Sequence, residues 1–134
     1  MAKRFALLKT SPDISTAGFI YHLCSLLAQG DHCILMVDAD PQCNLTSLVL
    51  QSYGEWTFEE FYRREPARNL FVGLSPSFDK DPGSIMPIEC LPITRKNDMF
   101  LLPGNVRLIE YEACVERCRD LPGMEHSPLN YESA

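Results

Sequence analysis

The sequence predicts an α/β domain built around a parallel sheet, on three observations. Phe5-Ala6-Leu7-Leu8 is a short apolar run of the kind a buried strand needs. From Thr16 to Gln29 the apolar residues Phe19, Ile20, Leu23, Leu26 and Leu27 recur at helical spacing. Cys33-Ile34-Leu35-Met36-Val37 is apolar without alternation, which marks a strand covered on both faces. Strand, loop, helix and strand at these spacings make a βαβ unit with a right-handed crossover.

Each element has a local reason. Residues 9 to 15 hold Ser, Pro and Asp and predict a loop. Gly30 stands where a left-handed residue ends the helix. After the second strand, Asp38-Ala39-Asp40-Pro41-Gln42 places two carboxylates at a strand's carboxyl end, where open α/β sheets build their sites. A short helix is expected from Leu45 to Leu50. Thr57 and Glu60 form a T-x-x-E capping box that opens another helix, reaching about Arg64, with Phe58, Phe61 and Tyr62 as one aromatic face for core packing. Between Pro66 and Pro92 the pattern is weak. Met99-Phe100-Leu101-Leu102 predicts a third buried strand, closed by the turn Pro103-Gly104-Asn105. Asn105 is placed to cap a last helix from Val106 to about Cys118.

Composition excludes several classes. The 134 residues suffice for one small domain, assigned to residues 1–118, with a disordered polar tail at 119–134. No apolar run approaches the ~20 residues of a membrane span, and the stretch behind the basic N-terminus is too short for a signal-peptide core. A cytoplasmic protein is expected. The net charge is −6, and Arg63-Arg64 and Arg95-Lys96 are isolated pairs, so DNA binding by this chain alone is disfavoured. The six cysteines are expected as reduced thiols. Cys114 and Cys118 stand four apart with His126 downstream, but a fourth zinc ligand is not apparent.

One segment carries a resemblance. Asp38-Ala39-Asp40-Pro41-Gln42-Cys43-Asn44-Leu45-Thr46 resembles the D-x-D-P-Q-x-N-L-T segment of ParA-type partition ATPases, relatives of MinD and Soj. His22 to Gly30 is similar to that family's N-L-x-x-x-L-A-x-x-G helix, and Phe100 to Asn105 to its F-L-L-P-G-N strand-turn. Taken alone, Asp-Pro after a strand is ordinary turn chemistry, and two aspartates can serve only to cap a helix. The resemblance covers about residues 4 to 113. It implies a P-loop NTPase-like, Rossmann-like three-layer fold with a mostly parallel sheet, here truncated. It assigns Asp40 to positioning of the attacking water and Asp38 to the magnesium shell. It also implies ATP and Mg2+ as cofactors, a ParB-like partner and a homodimer.

The phosphate-binding loop departs from that pattern. Where the family carries a deviant Walker A loop, K-G-G-V-[GS]-K-T-T, this chain reads Ser11-Pro12-Asp13-Ile14-Ser15-Thr16-Ala17-Gly18. Both lysine positions are neutral, Ser11 and Thr16, and Ala17 replaces the hydroxyl that would bind magnesium. Pro12 and Asp13 replace two glycines, which stiffens the backbone and removes an N–H donor. Asp13 also brings a negative charge toward a triphosphate, and two like charges ~4 Å apart repel by about 4 kcal/mol at an effective dielectric near 20. The loop of Ser11, Pro12, Asp13, Ile14, Ser15, Thr16 and Ala17 is therefore expected not to hold ATP. No apolar strand ending in Asp follows between Glu116 and Ala134, where the family's Walker B strand is expected.

The functional expectation is a ParA-family protein in a truncated or degenerate form, without nucleotide hydrolysis. The alternatives are an active ParA-like ATPase in DNA segregation and a non-catalytic protein-interaction module.

Overall fold

The computed structural model describes residues 3, 15–54, 56–79, 81, 83–93 and 98–119. The predicted strand Phe5–Leu8, loop residues Ser11 to Ile14 and the tail from residue 120 onward lie outside them. The described chain runs α1 (Thr16–Ala28), β1 (Ile34–Val37), α2 (Asn44–Tyr53), α3 (Phe58–Arg64), α4 (Leu70–Asp79), β2 (Leu91–Pro92), β3 (Met99–Leu102) and α5 (Leu108–Arg119).

The helices begin and end for identifiable reasons. Ser15 caps α1 by accepting a hydrogen bond from the Gly18 N–H through its Oγ, at 3.3 Å. α2 ends at Gly54, whose φ of +76° is left-handed and lets its N–H reach the Leu50 carbonyl. α3 opens on a complete capping box: the Thr57 hydroxyl accepts from the Glu60 N–H, and the Glu60 carboxylate accepts from the Thr57 N–H.

β1 and β3 pair in parallel, with Ile34 opposite Met99 and Val37 opposite Leu102. β2 pairs antiparallel with β3, giving the order β1-β3-β2. Pro92 cannot donate to a ladder and sits where proline is tolerated, in a two-residue strand at the sheet's edge.

This architecture corrects the fold class expected above. Among the described residues there are five helices and one three-stranded mixed sheet of four, four and two residues. The chain is small and helix-rich, not a P-loop three-layer fold on a mostly parallel sheet. Two physical facts account for the difference. The antiparallel closing strand is short and carries a proline, and α4 takes up much of the segment whose pattern was weak. β1 is also not covered on both faces: Leu35 and Val37 are 53% and 47% exposed, whereas Met36 is buried.

The core lies on the other side of the sheet. Met36, Met99 and Leu101 pack with Leu45, Val49 and Leu50 of α2 and with Phe61 of α3. Ile20, Tyr21 and Cys24 of α1 close over this cluster. Phe61 is fully buried and meets Trp56 at 5.7 Å and Tyr62 edge-on at 5.1 Å, so the aromatic face of α3 packs inward as its sequence predicts. A second, smaller set of contacts joins α4 and α5, where Tyr111 stacks between Phe71 and Phe78 and the Arg107 guanidinium lies 4.4 Å from the centre of the Phe71 ring.

Candidate functional site

The segment after β1 folds into a tight knot that buries Asp38, Cys43 and Thr46 while Ala39, Asp40, Gln42 and Asn44 stay exposed. Asp38 extends the ladder, its N–H donating to the Leu102 carbonyl, and the chain then turns through Pro41. Cys43 occupies the position before α2 with φ of +55°, a left-handed conformation that few side chains adopt. That turn carries Thr46 back over the end of the strand.

Asp38 is 3% exposed, and both its oxygens accept hydrogen bonds from within the chain. Oδ2 accepts from the Thr46 N–H at 2.8 Å and from the Thr46 hydroxyl at 2.6 Å. Oδ1 accepts from the Asp40 N–H at 3.2 Å. The Thr46 Oγ1 in turn accepts from the Gly104 N–H at 3.0 Å, and the Tyr62 hydroxyl donates to the Gly104 carbonyl. Strand end, helix α2, helix α3 and the Pro103-Gly104 turn thus share one polar chain. The backbones approach closely here: a Cβ on Gly104 would lie 2.9 Å from the Asp38 carbonyl oxygen, so glycine is required.

Charge and burial act together on the groups nearest Asp38. Burial, with the carboxylates of Asp38 and Asp40 adding to it, pushes the Cys43 thiol from its ordinary 9.0 up to about 11. Burial likewise raises the Tyr62 phenol, with Cys43 and Asp38 contributing. Both groups are held neutral at physiological pH. Neither is prepared to act as a nucleophile or a base.

The predicted site residues divide three ways. Asp38 is buried in the knot. Asp40 is exposed and braces its own turn, accepting from the Gln42 N–H at 2.9 Å and the Asn44 side-chain amide at 3.4 Å. Of the loop residues, Ser15, Thr16 and Ala17 form the start of α1, with Ala17 packed against the core; Ser11, Pro12, Asp13 and Ile14 lie outside the described residues. Magnesium and ATP, which the resemblance implies, find a poor fit here. The Asp38 oxygens are turned inward onto Thr46 and Asp40, and the first turn of α1 offers Ala17 where a coordinating hydroxyl is needed. Among the described residues no group of three or more His, Cys, Asp or Glu side chains is arranged to hold a metal ion. No described helix is long and apolar enough to cross a membrane.

Sequence reasoning missed the roles of Tyr62 and Gly104. Tyr62 reads as core aromatic, and its polar tip meets a backbone 42 residues away. A glycine after proline reads as a turn, and only the folded chain brings it against Asp38.

No family model matches the chain, and no curated protein matches it. Among solved structures it is similar to the crystal structure of protein DIP2308 from Corynebacterium diphtheriae, at a TM-score of 0.56 and 22% sequence identity, over 73% of this chain. The likeness is one of fold. This chain spans 34% of the length of that protein, about a third.

Proposed function

We propose that this chain is a ParA-like protein that neither seats nor hydrolyses a nucleoside triphosphate, its acidic strand-end segment serving as an internal brace. The likeness invoked is that of the Asp38–Thr46 segment and the Pro103-Gly104-Asn105 turn, and it does not extend to the family's three-layer sheet. One observation carries the reading: the Asp38 carboxylate is buried and receives all of its hydrogen bonds from Thr46 and Asp40. A carboxylate that positions a metal must present an oxygen to it, and this one presents both to its own chain.

Electrostatics point the same way. Phosphoryl transfer depends on positioning and on neutralising charge around the phosphates. Residues Ser11 to Ala17 supply no cation, and Asp13 adds a negative charge.

Titration of the full chain with Mg-ATP by calorimetry tests the reading. The expected result is no saturable heat up to about 1 mM, and a Kd tighter than ~1 mM, about 4 kcal/mol of binding, overturns it. A Thr16→Lys variant is expected to stay equally silent, because Pro12 and Asp13 remain in the sequence.

A further inference from the structure

Residues of α4 and α5, with Ala39 after β1, line an open groove of about 490 Å³. Its apolar lining includes Ala39, Leu70, Leu74 and Val115, and its acidic lining is Glu112 and Glu116. Val115 is 51% exposed, and both glutamates are exposed. Neither carboxylate forms an ion pair or a hydrogen bond with any described side chain. Leu35 and Val37 of β1 are exposed at alternate positions, and Ala39 of the groove follows two residues on.

We propose that this groove docks a cationic amphipathic helix from another protein. An apolar lining beside two unpartnered carboxylates calls for apolar side chains flanked by positive charge. Glu112 and Glu116 are one turn apart on α5, ~6 Å along its surface, so lysine or arginine at i and i+4 of a facing helix meets both. The apolar residues of such a helix, at i, i+3 and i+7, lie over Leu74 and Val115. The acidic lining repels phosphates, which disfavours nucleic acids and anionic lipid surfaces as occupants. It also disfavours a second copy docking through α1, the described helix with the largest exposed apolar stripe, because α1 carries no lysine or arginine.

The test uses the full chain and a labelled synthetic peptide of about 15 residues, with leucines on one helical face and lysines at i, i+4 beside them. Its control is a peptide of the same composition in scrambled order. Fluorescence anisotropy is expected to show the ordered peptide binding about tenfold more tightly than the scrambled one, and more weakly as salt rises. Val115→Asn, and Glu112→Gln with Glu116→Gln, are each expected to weaken binding about tenfold while circular dichroism is unchanged. Equal binding of the scrambled peptide overturns the proposal, as does full affinity in Val115→Asn or no binding below about 1 mM. Sedimentation velocity supplies a further outcome: self-association that Val115→Asn abolishes would make a second copy the occupant and likewise overturn it. Nucleotide binding plays no part in these readouts, so they stand or fall separately from the calorimetric test.

Discussion

Thr46 carries more of this structure than its size suggests. Its N–H and hydroxyl both donate to Asp38, and the same hydroxyl oxygen accepts from the Gly104 N–H. A Thr46→Val variant keeps the shape and removes the oxygen, taking one of the three hydrogen bonds from the buried Asp38 carboxylate and leaving the Gly104 N–H without its acceptor. Its expected cost is about 2–4 kcal/mol, read from urea unfolding, with Thr46→Ser recovering most of the loss. Cys43 beside it offers a chemical check. Because the residue is buried and burial pushes its thiol up to about 11, it is expected to resist iodoacetamide at pH 8 while the exposed Cys33 and Cys118 react, as peptide mass mapping will show. The pH dependence has a definite sign. A thiol whose folded value is raised favours the native state fully below its ordinary 9.0, and this contribution is lost as pH rises through about 11.

At the scale of elements, local chemistry was readable in advance wherever it was local. The residues of α1 declare it by period, and the structure ends it one residue short of the expected Gln29. The T-x-x-E signal located α3 and its cap, both hydrogen bonds of which are made. Thr57→Ala is therefore expected to lower stability by about 1 kcal/mol in urea unfolding at neutral pH. The Thr57 backbone holds the Glu60 carboxyl below its ordinary 4.5, so the box is complete at neutral pH and lost as pH falls through that lowered value. β1 and β3 were legible as apolar runs, but the βαβ spacing named Phe5–Leu8, outside the described residues, as the neighbour of β1, and the parallel pairing of β1 with β3 is a finding of the structure. Two elements were not. Leu70–Asp79 contains Gly73 and Pro76, two residues that argue against a helix on propensity, and tertiary contacts with α5 override them. Leu91–Pro92 is too short to carry any period, and its antiparallel direction is set by contact with β3 alone. The acidic segment was legible as a place but not as a role. Its residues announce a strand-end turn, while the inward rotation of Asp38 depends on Thr46, Tyr62 and Gly104, which only the folded chain assembles.

For the molecule as a whole, the division between buried and bare apolar surface decides which substitutions matter. Leu50 is 2% exposed within the core, and Leu50→Ala is expected to cost about 2–5 kcal/mol. Leu26 is 65% exposed on the outer stripe of α1, and Leu26→Gln is expected to change stability by less than about 0.5 kcal/mol in the same urea measurement. A difference that small at Leu50 would contradict the core assignment. The polar chain joining Tyr62, Gly104, Thr46 and Asp38 bears on how such a molecule reaches its native state. The α1, α2 and α3 helices are near neighbours in sequence, and Asp38 takes its own hydrogen bonds from residues no more than eight positions away, yet the Thr46 hydroxyl oxygen must find the Gly104 amide 58 residues downstream before the polar chain is complete. Closing a loop of that length costs chain entropy before any contact repays it. Loop-closure entropy therefore weighs on the β1–β3 pair and the Gly104–Thr46 bond, whereas the Asp38–Thr46 contact needs only the short turn between β1 and α2.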